Sequence, residues 1–88
     1  MLVETDYGFC EYAFEEGYTH IYNLFVFSEY RRNGKARELL KLAIEEIRKS
    51  GYDGEIQIVA EPQEKSIDKE KLIEFYKSMG LQVFQYYG

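Results

Sequence analysis

Between Thr19 and Ile47 the hydrophobic pattern of this chain changes period once, and that change constrains the fold more than any other feature. Ile21, Tyr22, Leu24, Phe25, Val26 and Phe27 make an almost unbroken apolar run rich in aromatics, the signature of an extended strand. From Ala36 onward the apolar residues recur as Ala36, Leu39, Leu40, Ala43, Ile44 and Ile47, which is one stripe along a helix, and Gly51 is a natural C-terminal stop. A strand feeding a helix that feeds another strand predicts two parallel strands joined by a right-handed crossover. The continuity of the run from Thr19 to Phe27 predicts a central strand covered on both faces.

The remaining elements follow from turn chemistry. Leu2 to Thr5 and Phe9 to Phe14 read as strands, separated by Asp6-Tyr7-Gly8 and followed by a Glu15-Glu16-Gly17 turn. Tyr52-Asp53-Gly54 is a turn, and Glu55 to Ala60 is a strand that Pro62 ends. Ser66 or Asp68 can cap a second helix, whose apolar positions Leu72, Ile73, Phe75, Tyr76 and Met79 fall on one side before Gly80. Leu81 to Tyr87 closes the chain as a strand. Residues 1–88 are expected to form a single α/β domain in the order β-β-β-α-β-α-β, with a mixed sheet and helices packed on it. Lys41/Glu45 and Glu45/Lys49 are spaced for helix-surface ion pairs worth a few tenths of a kcal/mol each.

Composition removes several function classes. One Cys and one His leave no intramolecular disulfide and no structural zinc site, which takes four such ligands, so no metal is expected. No apolar run reaches the roughly 18 residues of a membrane span, and Met1-Leu2-Val3-Glu4 lacks the basic start of a signal peptide. A cytoplasmic protein is expected, without membrane partners. Net charge is -5 and the isoelectric point about 4.9, which argues against direct nucleic-acid binding. The charge is segregated: Glu4, Asp6, Glu11, Glu15, Glu16 and Glu29 occupy the first thirty residues without a Lys or Arg, and Arg31, Arg32, Lys35 and Arg37 then crowd together. The first part suits a cation and the following loop an anion.

Arg31-Arg32-Asn33-Gly34-Lys35-Ala36-Arg37 therefore combines a glycine turn, a helix start and positive side chains, the elements of a phosphate site. It is neither a P-loop nor a dinucleotide fingerprint. The stretch from Val26 to Ala36 resembles the acetyl-CoA-binding motif of the GCN5-related N-acetyltransferases, the GNAT superfamily: a strand ending in Val, then Gln or Arg, two residues, Gly, one residue, and Gly or Ala. Arg31, Gly34 and Ala36 occupy the defining places. A second signature of that family, an aromatic-Tyr pair followed by three residues, Gly and a hydrophobic residue, is matched by Phe75-Tyr76-Lys77-Ser78-Met79-Gly80-Leu81. A narrower likeness runs through Glu61-Pro62-Gln63, Ser66-Ile67 and Leu72 to Tyr76, which resemble the small phage-type acetyltransferases of the type V anti-CRISPR kind. Their acceptor is a lysine of an RNA-guided nuclease.

The resemblance implies a compact GNAT-like sheet lacking the usual N-terminal strand and two helices, so that one wall of the acceptor site is open or supplied by another subunit. It implies acetyl-CoA as co-substrate and an amine acceptor, foremost a protein lysine; the host cytoplasm is the location if the gene is phage-borne. It places Leu24, Phe25 and Val26 along the pantetheine arm, with the Val26 backbone polarising the thioester carbonyl. The residues Arg31, Arg32, Asn33, Gly34, Lys35, Ala36 and Arg37 would hold the pyrophosphate, and Tyr76 would protonate the departing CoA thiolate. The Asn that many members place seven residues before the Tyr is Lys69 here, and Ser66 is the residue expected to substitute. An alternative role for Tyr76 is that of a core aromatic, and for the whole domain that of an inactive CoA-binding or protein-interaction module.

Lysine chemistry needs a neutral amine, and with a reference pKa near 10.4 only roughly 0.04% is neutral at pH 7. Three sources of help stay open: His20, which in a regular strand shares a face with Tyr22, Leu24 and Val26; Glu61; or desolvation without a dedicated base. Cys10 reads as a small strand residue. The last strand offers a sheet edge that pairing between two copies would cover, so a homodimer is one expected assembly.

Overall fold

In the computed structural model, which describes residues 1–31, 33–60 and 68–84, the chain forms five strands and two α-helices in the expected sequence. The strands are β1 (Leu2–Thr5), β2 (Gly8–Glu15), β3 (Tyr18–Val26), β4 (Ile56–Val59) and β5 (Gln82–Phe84). Helix α1 spans Lys35–Lys49 and α2 spans Lys69–Ser78, and a single 3-10 turn, Ser28–Tyr30, follows β3. One sheet holds all five strands in chain order, with β1-β2-β3 antiparallel and β3-β4-β5 parallel.

Successive parallel strands added in one direction, each through a right-handed crossover, put both helices on the same side of the sheet. The core confirms this arrangement. Leu39, Leu40, Ala43 and Ile47 of α1 and Tyr76 of α2 pack in one cluster with Cys10, Tyr12, Ile21, Val26, Ile56 and Ile58 from the sheet. The expected double coverage of β3 is therefore incorrect: Tyr22 is 52% exposed and Phe27 38%. A continuous apolar run signals two-sided burial only when both sides have a partner, and here the aromatic residues line an open face.

A second departure lies within β3. Its pairing with β2 shifts register between Glu11 and Tyr12, so that Tyr12 faces Ile21, Glu11 faces Asn23, and Tyr22 is the extra residue of a β-bulge. Side chains alternate across a regular strand, and the bulge inverts that alternation. His20 and Tyr22 consequently lie on the open face while Leu24 and Val26 turn to the helices. The expectation that His20 shares a face with Leu24 and Val26 fails for this reason.

Local chemistry explains the boundaries. The β1–β2 turn is tied by the Thr5 hydroxyl, which accepts from the Gly8 and Tyr7 N–H groups at 3.1 and 3.3 Å and donates to the Gly8 carbonyl at 3.0 Å. Gly8 itself opens β2 and has no room for a side chain, because a Cβ would run into the Phe25 carbonyl oxygen and approach Val26 Cα to 2.9 Å. Asp68 caps α2, its carboxylate accepting from the Glu70 N–H at 2.9 Å, and Ser66 lies outside the described residues. On α1 the ion pair present among the described residues is Lys35–Glu38 at 3.2 Å, not the two expected pairs around Glu45. Tyr12 bridges sheet and helix: its side chain is buried, and its hydroxyl donates to Glu46 Oε1 at 2.7 Å.

Candidate active site

Strands β3 and β4 pair only over Thr19–Ile21 and Ile56–Ile58. Beyond that point β3 continues against β2 as far as Val26, and β4 continues against β5, with the Ala60 N–H donating to the Phe84 carbonyl at 2.9 Å. The two parallel strands thus part at the β3 bulge. They leave a wedge between Asn23–Val26 on one side and Val59–Ala60 on the other, at the carboxyl ends of the strands where α/β sheets take their ligands.

The cationic glycine turn follows β3 at this end of the sheet. Gly34 is the N-cap of α1 in the left-handed conformation, φ 74°, and offers no side chain to the helix end. The first intrahelical bond is Glu38 N–H to Gly34 carbonyl at 3.2 Å, so the N–H groups of Lys35, Ala36 and Arg37 have no acceptor within the helix. Three cations of this segment each lie over an aromatic ring: Arg31 over Phe25, on the helix-free side, at 5.3 Å, Lys35 over Tyr7 at 5.1 Å and Arg37 over Phe75 at 5.3 Å. Arg37 also reaches Met79 Sδ at 3.9 Å and so ties the start of α1 to the end of α2. The Arg31 Nε donates to the Val26 carbonyl at 2.8 Å, which links the turn to the strand end. Arg32 lies outside the described residues. Oriented donors, helix dipole and fixed positive charge together fit a pyrophosphate.

Tyr76, 5% exposed, packs on the helix side of the sheet close to Cys10, whose partner on β3 is Leu24 at the border of the wedge. The Tyr76 carbonyl accepts the Met79 and Leu81 N–H groups at 3.1 and 3.3 Å, closing α2 and turning the chain into β5. Burial pushes the phenol up to about 12, with the neighbouring Cys10 thiol a smaller contributor, so Tyr76 is protonated throughout the physiological range. Among the described residues no hydrogen bond engages its hydroxyl. Cys10 is fully buried, and burial first, then the Glu11 and Glu46 carboxylates, raises its thiol to about 12. It is a packing residue, not a nucleophile.

Cys10, Tyr12 and Tyr76 all hold their protons more tightly in the fold than their ordinary values of 9.0, 10.0 and 10.0, each reaching about 12. A raised folded-state value means that the native state binds more protons than the unfolded chain in that window. Stability is therefore fully retained below pH 9 and falls as the pH climbs from about 9 toward 12. Thermal melts across this range are expected to show a falling midpoint, with the earliest part of the decline removed in Cys10→Ala.

His20 lies on the opposite side of the sheet from Tyr76. It is half-buried between Tyr18, edge-on at 6.5 Å, and Tyr22, stacked at 6.3 Å. The structure thus brings Leu24, Val26, Arg31, the stretch from Asn33 to Arg37 and Tyr76 to the same end of the sheet. Phe25 and His20 are on the far face, and Glu61 and Ser66 are outside the described residues. Sequence reasoning missed Gly8 and the bulge. Gly8 could have been noticed as a glycine between two strands, but nothing in the sequence marks the extra residue at Tyr22.

Residues 4–81 match the model of the acetyltransferase (GNAT) family. The crystal structure of the anti-CRISPR protein AcrVA5 is similar to this chain at 33% identity with a TM-score of 0.70, over 89% of this chain and 78% of that one. No curated protein sequence matches the chain significantly. Among the described residues no helix is long and apolar enough to cross a membrane, and no cluster of His, Cys, Asp or Glu could hold a metal ion. With the wedge, the turn and the buried tyrosine arranged as above, the match over 4–81 places this chain in the GNAT family of acetyltransferases.

Proposed function

We propose that the protein moves the acetyl group of acetyl-CoA directly to a primary amine, foremost a lysine side chain of another protein. The observation that carries this reading is the position of Tyr76, a phenol kept neutral by burial beside the wedge between β3 and β4. Acetyl-CoA supplies the activated acyl group. The chain's own residues do the rest. Lys35, Ala36 and Arg37 N–H groups with the Arg31, Lys35 and Arg37 side chains hold the pyrophosphate, and the β3 edge at Val26 orients the thioester. Tyr76 gives its proton to the thiolate sulfur as the carbon–sulfur bond breaks, which makes free CoA the leaving group. The incoming amine reaches the wedge from the open face, where His20 is the imidazole available to accept its proton. The AcrVA5 likeness supports a protein acceptor.

Acetyl-CoA binding is read by thermal shift. Ligand at 100 times Kd is expected to stabilise the fold by about 2.7 kcal/mol. Gly34→Glu puts a carboxylate among the free N–H groups and an L-residue at φ 74°, and is expected to abolish the shift. An unchanged shift in that variant would remove the turn from the site.

A further inference from the structure

The helix-free side of the sheet has a composition of its own. On β2, Phe9, Glu11, Ala13 and Glu15 point away from the helices; across from them on β3 stand Phe25, Asn23, His20 and Tyr18, with Tyr22 added by the bulge. β1 contributes Leu2 and Glu4 to the same side through its pairing with Glu11 and Phe9. Acidic and aromatic side chains therefore interleave across three strands. Tyr18, His20 and Tyr22 form a continuous row of rings, edge-to-face at the first contact and stacked at the second, and Glu11 is held beside it, accepting from the Tyr22 hydroxyl at 3.0 Å and from Asn23 Nδ2 at 3.1 Å.

We propose that this face is where the acceptor protein docks, and that it takes a basic segment of that protein, its Lys or Arg side chains laid on the tyrosine row with their charges paired to Glu4, Glu11 and Glu15. Charge complementarity decides the occupant. No Lys or Arg occurs among the first thirty residues, so β1, β2 and β3 supply rings and carboxylates but no cation. At the upper edge of the face the molecule already shows the preferred contact, the Arg31 guanidinium over Phe25. A second copy of this chain would set Glu4, Glu11 and Glu15 against the same acidic face, an arrangement that like-charge repulsion penalises. The surface adjoins the open side of the wedge at the Tyr22 bulge, so a segment bound there brings a neighbouring lysine to the site. The inference rests on the acetyl-transfer reading for its product but not for its binding.

The test uses an unstructured peptide of alternating Lys and Gly, with an alternating Glu and Gly peptide as control, and reads binding by fluorescence anisotropy separately from acetyl-CoA binding. The wild type is expected to bind the Lys peptide, more weakly as salt rises, and to ignore the Glu peptide. Glu11→Lys with Glu15→Lys is expected to weaken binding at least tenfold, and Tyr22→Ala severalfold, with the acetyl-CoA thermal shift unchanged. In turnover assays the same variants should raise KM for the peptide with kcat held. Peptide affinity indifferent to these substitutions would overturn the proposal even if acetyl transfer stands. A wild-type dimer that Tyr22→Ala makes monomeric would overturn it too. Loss of the acetyl-CoA shift in the wild type would sink the enzymatic reading and leave the docking result to be judged alone.

Discussion

Tyr76→Phe is expected to lower kcat for acetyl transfer by about 10²- to 10⁴-fold, the usual worth of a positioned general acid. Acetyl-CoA affinity should be unchanged, because the proposed pyrophosphate contacts lie at the start of α1, away from the hydroxyl, and the proposed proton transfer comes only as the thiolate leaves. The fold should hardly notice. No described residue bonds to the Tyr76 hydroxyl, so its removal strands no partner, and the ring that fills the core remains. The pH profile adds a check with a definite sign. With the phenol raised to about 12, the acid form persists across the working range, and the rate should climb with pH as the acceptor amine deprotonates, without a falling limb from Tyr76 below pH 10. A Phe variant with full kcat would assign Tyr76 to packing alone.

Gly8→Ala is expected to be the most damaging single-methyl change in the sheet. The added Cβ meets backbone, the Phe25 carbonyl and Val26 Cα, and backbone cannot swing aside as a side chain does. Relief requires β2 and β3 to separate where β3 already leaves β4. A cost of ~3 kcal/mol, the upper end for overpacking, is a large part of the roughly 4–13 kcal/mol expected for a domain of this size. Gly17→Ala is the control. Gly17 has φ 86° and open space around it, so only the left-handed backbone penalty of about 1 kcal/mol applies. Urea titrations should give a much lower midpoint for Gly8→Ala than for Gly17→Ala at equal slope. Acetyl-CoA binding should also weaken in the Gly8 variant, since Val26 is displaced.

These two residues mark how far the sequence could be read. The place of Tyr76 at the end of α2 was legible because two short signatures, one around Gly34 and one around Gly80, each encode a local conformation that the chain adopts, a left-handed glycine beside a helix end. The element order was legible for a similar reason: the change from strand to helical period at Ala36 and the caps at Asp68 and Gly51 are local decisions. What was hidden depends on partners distant in sequence. Coverage of β3 depends on which side the crossovers take, and the apolar run from Ile21 to Phe27 reads the same with one covered face or two. The bulge at Tyr22 follows from the fit of β2 against β3, and it moves His20 to the side of the sheet away from Tyr76. Gly8 reads as part of a turn until the neighbouring strand is in place.

Acetyl transfer at the wedge between β3 and β4 is read without intermediaries by intact-mass spectrometry of a lysine-rich acceptor protein incubated with acetyl-CoA. The predicted result is addition of the mass of one or more acetyl groups with the wild type, none with Gly34→Glu, and a trace with Tyr76→Phe. Saturable acetyl-CoA binding by the wild type with no acetyl added to any lysine-bearing acceptor would contradict it, and would make the protein a CoA-binding module that kept the fold without the reaction.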